Sequence, residues 1–176
     1  GTASAQSITL SFWVNCSITG TFTGAINNST PNRSYPFSYT INSANTWEKK
    51  TITIAGDTSG TWLSDNGVGI KLWFSIAMGS TYAASAGSWY GAEYYGATGQ
   101  ANLYATNGNT FYITGVQLEA GSTSTDFERR PYGTELALCQ RYYDKDTSEL
   151  LAVRQAGQQI YSLLAQDLLL KCELHQ

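Results

Sequence analysis

The side chains of this chain that could take part in chemistry are mostly aromatic rings and amides. The sequence has one histidine, His175. The residues that a Ser-His-Asp triad or a histidine-based metal site requires are therefore almost absent. A glycosidase would use paired carboxylates, for which the candidates are Asp57, Asp65, Glu93 and Glu119. Asp57 and Asp65 stand in turn sequences, where Asp is common for local reasons, and Glu119 ends a strand pattern. We therefore expect a protein that is not an enzyme.

Cysteine usage predicts neither a disulfide framework nor a metal site. Cys16, Cys139 and Cys172 are widely separated and odd in number, and they form no CxxC motif. We expect three reduced thiols. The few acidic side chains could hold one structural calcium ion, although no EF-hand-type spacing supports such a site. No other metal and no cofactor are expected.

Exposed aromatic rings beside amides are what a sugar-binding surface requires. A sugar stacks its C–H face on an aromatic ring, while amide groups form hydrogen bonds with the hydroxyl groups of the sugar. The segment 79–99, which is rich in Gly, Ala and Ser, carries Trp89, Tyr90, Tyr94 and Tyr95. These four residues are the best candidates for glycan binding. The alternative is that they pack within a long ordered loop or against a neighbouring subunit, because aromatic residues are also enriched at interfaces.

Three further tryptophans raise the same question. Trp13 and Trp73 lie on the faces opposite the apolar residues of their strands, so they either line a binding surface or are covered by a neighbouring element. Both are added to the candidate glycan site. Trp47 is expected in the core.

Composition restricts the remaining function classes. The chain has 176 residues, 13% of them charged, and a net charge of −3. The length suits one ordinary domain, and the charged fraction is about half of the usual share. No basic cluster is available to neutralise phosphates, so no nucleic-acid partner is expected. The longest apolar run, near 168–170, is too short to cross a bilayer, so no membrane insertion is expected.

Hydrophobic alternation predicts an all-β protein. Apolar and polar residues alternate over 8–14, 17–26, 35–41, 47–54 and 69–77, which is the period of half-buried strands. Two more strands are predicted at 100–106 and 110–118, joined at Asn107-Gly108, a typical hairpin turn. Gly115 breaks the alternation and predicts a bulge. Pro36 predicts that its strand lies at a sheet edge or that the residue stands at a strand start. Together these elements predict an antiparallel β-sandwich.

A C-terminal helix is predicted over 148–174, where apolar residues recur at spacings near three and four. We expect a sandwich at 1–121, a connecting segment at 122–147 and the helix at 148–176. So many leucines require a partner surface, which is the sandwich, another protein or copies of the helix. The candidate assembly residues are Leu150, Val153, Ile160, Leu163, Leu164, Leu170 and Leu174.

Two segments carry a family resemblance, namely TFYITGVQLEAG at 110–121 and DFERRPYGTELALCQRYY at 126–143. With SFWV, NRSYPFSYTI, ANTWEKKTITIAGDTSGTW and NGVGIKLWFSIAMGS upstream, the likeness covers 7–143. The chain resembles the carbohydrate-binding-module-like jelly-roll domain of bacteriophage tail fibres and other virion proteins. The resemblance implies a jelly-roll sandwich located on the virion.

That resemblance also implies partners. They are other virion proteins, further copies of the chain, with a trimer favoured, and a polysaccharide of the host cell surface. The implied function is non-catalytic recognition of host glycans. The alternative is a purely structural virion component, a decoration or connecting protein that mediates subunit assembly. Relatives have an additional strand before the segment matching Ile8, so a neighbouring chain or a removed segment is expected to fill that place.

Overall fold

The computed structural model describes residues 1–140. Residues 1–127 form one compact unit, and the residues from 128 onward belong to a second unit. The predicted helix over 148–174, with all of its candidate assembly residues, lies outside the described residues. So does the end of the predicted connecting segment.

One antiparallel sheet, sheet I, has β1 (Ile8–Cys16) at its centre. Strand β4 (Glu48–Ile54) pairs with one edge of β1, and β8 (Phe111–Ala120) pairs with the other. The first strand of the chain is therefore central, because a late strand closes the sheet on its free side.

The second antiparallel sheet, sheet II, has β2 (Gly20–Asn28) at its centre. Strands β3 (Ser34–Ile41) and β5 (Ile70–Ser75) form its edges. Of the two placements that Pro36 predicts, the sheet edge is confirmed for β3, since an edge strand tolerates the missing N–H.

The core lies between the two sheets, where the predicted inward faces meet. Phe12 of β1 makes edge-to-face ring contacts with Tyr39 of β3 and Phe74 of β5, each with centroids 5.0 Å apart. Side chains of the core with at most 1% of their surface exposed include Leu10, Phe12, Val14, Phe22, Ile26, Phe37, Ile41 and Ile54. The alternation seen in the sequence thus identifies the core-facing side chains of β1, β3 and β4 correctly, whereas β2 is buried on both faces over residues 22–28.

The predicted bulge at Gly115 is confirmed. Ser11 of β1 pairs with Gln117 of β8, while Trp13 pairs with Thr114, so two residues of β8 oppose Phe12 alone. Gly115 has a φ of +58°, which a glycine adopts at little cost.

The predicted hairpin at 100–118 is wrong, because the segment 100–106 is not a strand. It contains instead a 3₁₀ turn at Leu103–Ala105. The Asn102 side chain accepts a hydrogen bond from the N–H of Tyr104 at 3.0 Å, and Leu103 is buried. Asn offers the backbone this local alternative to a sheet ladder.

The predicted long loop at 79–99 is irregular but contains short elements. A 3₁₀ turn at Ser80–Tyr82 leads into β6 (Ala83–Ala84), which pairs in parallel with β7 (Gly96–Ala97). In the second unit, α1 spans Tyr132–Gln140. Within residues 1–140, no helix has both the length and the apolar character needed to cross a membrane.

The mostly β architecture of packed antiparallel sheets is confirmed. Six of the eight strands within residues 1–140 form the two sheets of the sandwich, whereas a jelly roll has eight strands in two Greek keys. Jelly-roll connectivity therefore stays a prediction. The expectation that Trp47 lies in the core is wrong, because the residue precedes β4 and is 47% exposed.

Gly24 is expected to be indispensable to the packing of β2 between its neighbours. A Cβ at this position would overlap the carbonyl oxygen of Trp73 and the ring of Phe37. Gly24→Ala should lower the free energy of unfolding by about 2 kcal/mol through overpacking, measured by urea denaturation. The matched control is Gly79→Ala, where a Cβ meets nothing within 4 Å and a change within about 0.5 kcal/mol is expected. Equal stabilities of the two variants would contradict this account.

Candidate functional site

The aromatic loop 79–99 lies along the edge of β3 and over the outer face of sheet II. Ser34 of β3 exchanges two backbone hydrogen bonds with Tyr90, at 3.1 and 2.9 Å. Its hydroxyl also donates to the carbonyl of Ala92 at 2.6 Å. Further along the strand, the N–H of Gly87 donates to the carbonyl of Pro36 at 2.9 Å. The loop therefore satisfies the free edge of β3.

Two features hold the end of the loop against the outer face of sheet II. Asn27 of β2 is fully buried, and its Nδ2 donates to the carbonyl of Tyr94 at 3.0 Å. Gly96 of β7 is buried, and a Cβ there would overlap Thr23, Met78 and Ser75. The absence of a side chain at Gly96 is thus what lets the loop backbone approach the sheet.

Three aromatic residues meet on this outer face, and we name Trp73, Tyr82 and Tyr95 the Trp73 cluster. The rings of Trp73 and Tyr95 are 5.0 Å apart at 71°, and those of Tyr82 and Tyr95 are 5.6 Å apart. Trp73 is 42% exposed and Tyr82 is 48% exposed. The Tyr95 hydroxyl donates to the carboxylate of Glu93. The cluster presents fixed ring surface beside a hydrogen-bond acceptor, which are the two features that sugar binding uses.

Tyr90 and Tyr94 contact each other rather than the Trp73 cluster. Their rings are 5.2 Å apart in an edge-to-face arrangement, and the Tyr90 hydroxyl donates to the carbonyl of Ser85 at 3.1 Å. This geometry agrees with the alternative of packing within the loop.

Trp89 lies at one end of the sandwich. Its ring makes edge-to-face contacts with Tyr35 at 5.1 Å and with Trp62 at 5.4 Å, and its Nε1 donates to the carbonyl of Ala55 at 2.7 Å. Trp62 packs against the core. Trp62 and Trp89 also line a mostly apolar cavity of about 340 Å³.

A buried ion pair supports these two tryptophans. Asp57 is 7% exposed and forms a two-pronged ion pair with Arg33. The carboxylate also accepts hydrogen bonds from Trp62 Nε1 at 3.1 Å and from the N–H of Ser59 at 3.1 Å. The guanidinium carbon of Arg33 lies 5.9 Å from the centre of the Trp89 ring. Both oxygens of Asp57 are thus occupied by the protein itself.

The electrostatics of Asp57 follow from these bonds. Burial acts to raise the pKa of the carboxyl, but the hydrogen bonds from Arg33, Ser59 and Trp62 outweigh it and hold the pKa below its ordinary value. The paired guanidinium of Arg33 correspondingly has a raised pKa. Both groups are charged at neutral pH.

Trp13 is separated from the other candidates, because it lies on the outer face of sheet I. Its register partners are Lys49 of β4 and Thr114 of β8, and it is 40% exposed. The segment 121–127 folds back over this face, where Thr9 donates to the carbonyl of Gly121 at 2.7 Å. A neighbouring element therefore covers part of the face on which Trp13 lies.

The four candidate carboxylates lie on different segments, and each has partners of its own. Asp57 binds Arg33, Asp65 accepts from the N–H of Gly67, Glu93 accepts from Tyr95, and Glu119 accepts from Thr125. The Thr125 hydroxyl and N–H both donate to the Glu119 carboxylate, and these hydrogen bonds lower its pKa. Among residues 1–140, no three His, Cys, Asp or Glu residues gather as metal ligands would.

The structure thus divides the predicted aromatic site among four places. Trp73 and Tyr95 meet, Tyr90 and Tyr94 pair with each other, and Trp89 and Trp13 each lie elsewhere. Sequence reasoning missed Tyr82 and Trp62 as partners of these residues. For Trp62, its position between two turn-rich stretches is the one signal in the sequence.

Comparison with protein-family models, curated proteins and solved structures finds no match for this chain.

Removal of the buried carboxylate should destabilise the end of the sandwich. Asp57→Ala leaves the Arg33 charge half-desolvated and the Trp62 N–H without its acceptor, so the free energy of unfolding should fall by about 3 kcal/mol, measured by urea denaturation. Asp65→Ala is the matched control, because Asp65 makes the same local turn bond but has no arginine partner among residues 1–140. Its expected cost is at most about 0.5 kcal/mol. A small loss for Asp57→Ala would show that the ion pair is dispensable.

The same ion pair predicts a dependence of stability on acid. Because the pKa of Asp57 is lowered by folding, its contribution is present above the unfolded pKa of about 3.9 and is lost as pH falls through the folded pKa. The stability difference between the wild type and Asp57→Asn should therefore shrink between about pH 4 and pH 2. Urea titrations across this range test it, with Asp65→Asn as the control. A difference that stays constant would contradict the assignment.

Proposed function

We propose that this chain is a non-catalytic domain of a phage virion appendage, similar to a tail fibre, which recognises a glycan on the host cell surface. Its sandwich has jelly-roll connectivity in this proposal. The resemblance over 7–143 supports the virion location. The observation that carries glycan recognition is the Trp73 cluster, in which exposed rings are held in place beside the Glu93 carboxylate.

The mechanism is binding by a preorganised surface. The loop is held by backbone bonds to Ser34 and by the side chain of Asn27. The edge-to-face contact between Tyr95 and Trp73 sets the orientation of the exposed indole. A sugar ring would lay its C–H face on Trp73, and a ring hydroxyl would donate to Glu93. Little ordering of the protein accompanies such binding, which favours affinity.

A structural role in the virion is the second candidate, and a different observation favours it. Ile70 of β5 and Val116 and Leu118 of β8 lie on the inner faces of their strands, yet they are 45%, 41% and 39% exposed. Both strands are sheet edges. Exposed apolar residues at open edges are typical of surfaces that contact another subunit. This surface supports a homo-oligomer, for which the resemblance favours a trimer, and contacts with other virion proteins.

Glycan binding is expected to depend on Trp73. On a panel of immobilised bacterial capsular and O-antigen polysaccharides, the wild-type chain should bind at least one polysaccharide, and Trp73→Ala should weaken that binding by about tenfold or more through loss of ring stacking. The matched control is Trp13→Ala, because Trp13 has nearly the same exposure, 40% against 42%, on the opposite outer face. Its binding should stay at the wild-type level.

Three other outcomes would contradict this proposal. Loss of binding in Trp13→Ala alone would place the site on sheet I. Loss of binding in both variants would show that binding depends on both exposed tryptophans, so that the Trp73 cluster is not identified as the site. No binding by the wild-type oligomer to any polysaccharide would favour the structural role.

A further inference from the structure

A second feature of the surface lies next to the Trp73 cluster. It is a groove of about 420 Å³, which we name the Tyr104 groove, and its walls include Met78, Gln100, Asn102 and Tyr104. The volume falls within the lower part of the range of small-molecule sites, about 300–1,000 Å³. No candidate residue derived from the sequence lies in it.

The walls of the groove are held to the sandwich by backbone bonds. The N–H of Ala101 donates to the carbonyl of Thr21 at 2.7 Å, and the N–H of Leu103 donates to the carbonyl of Ile76 at 3.0 Å. The side chain of Leu103 is buried in the core. The 3₁₀ turn that displays Tyr104 is thus anchored from below, so the groove exists before any ligand binds.

The chemistry of the walls suits a polyhydroxylated ligand. Tyr104 is 74% exposed, more than any other large hydrophobic side chain that the structure exposes among residues 1–140. The Oε1 atom of Gln100 accepts a hydrogen bond from the Thr23 hydroxyl, while its Nε2 is buried without a partner. Turning the amide around would leave Oε1 without a partner instead. Because that atom is buried, the group that the groove offers a sugar is the exposed ring of Tyr104, on which a C–H face can stack.

Shared neighbouring residues place the groove beside the Trp73 cluster. Trp73 and Ser75 are alternate residues of β5 on the same outer face, and Ser75 pairs with Thr23, whose hydroxyl bonds Gln100. Gly96, next to Tyr95, packs against Thr23, Ser75 and Met78. Trp73 and Ser75 are about 7 Å apart at the usual rise of a strand, and the groove begins two residues beyond Ser75, at Ala77.

We propose that the Tyr104 groove is a second sugar subsite, so that the glycan recognised by this face is an extended oligosaccharide whose successive rings contact Trp73 and Tyr104. The proposal rests on the proposed function, because it assigns a ligand to the same face. A single sugar cannot reach from Trp73 past Ser75 to the groove, so both subsites are filled only by a chain of several sugars.

The test is a length series of oligosaccharides, from one to six sugars, prepared from each polysaccharide that binds on the panel. In calorimetric titrations of the wild-type chain, the longest oligosaccharides should bind about tenfold or more tighter than the monosaccharide. Tyr104→Ala should abolish this gain with length, and Trp73→Ala should weaken binding at every length.

The matched control is Tyr112→Ala, because Tyr112 is also a strongly exposed tyrosine, at 55%, but lies on sheet I. It should keep the gain with length. Equal affinity at every length, with binding still dependent on Trp73, would overturn the second subsite and leave the proposed function in place. An unchanged gain in Tyr104→Ala would also overturn it. No wild-type binding at any length would overturn both.

Discussion

The contact of the Phe12 ring with the facing sheet is the constraint on which the remaining structure depends. Phe12 touches Tyr39 and Phe74 edge-on, each at 5.0 Å, and so joins the centre of sheet I to both edges of sheet II. Side chains alternate along a strand, so burial of Phe12 and Phe74 forces their neighbours Trp13 and Trp73 outward. The two exposed tryptophans are therefore a consequence of how the core is packed.

The two outer faces are then completed by different segments. The segment 121–127 crosses the face of sheet I, and the loop 79–99 lies on sheet II, held through the edge of β3 and through Asn27. On sheet II the covering loop brings Tyr82 and Tyr95 to Trp73. The element that satisfies the sheet edge thus also assembles the recognition surface that we propose, which is why that surface is preorganised.

Stability at the end of the sandwich is separate from this surface. Trp89 is adjacent in sequence to Tyr90, yet its ring packs on Tyr35 and Trp62, above the Arg33–Asp57 ion pair. Asp57 directs its oxygens to Arg33, Ser59 and Trp62. An aromatic side chain in this loop can therefore contribute to packing, and only its neighbours in space distinguish packing from the recognition that we propose.

The sequence by itself determines the six strands of the two sheets, the inward faces of β1, β3 and β4, and the bulge at Gly115. Through Pro36 it also limits β3 to a sheet edge or a strand start. All of these follow from the period of a strand or from the backbone properties of one residue, which are local. The segment 100–106 was misjudged because the Asn102 side chain bonds the backbone, a competition that alternation does not record. Only the tertiary structure decides which aromatic residues meet. Trp73 and Tyr95, Trp62 and Trp89, and Thr23 and Gln100 are distant along the chain and are joined by the path of the loop over sheet II and around the end of the sandwich.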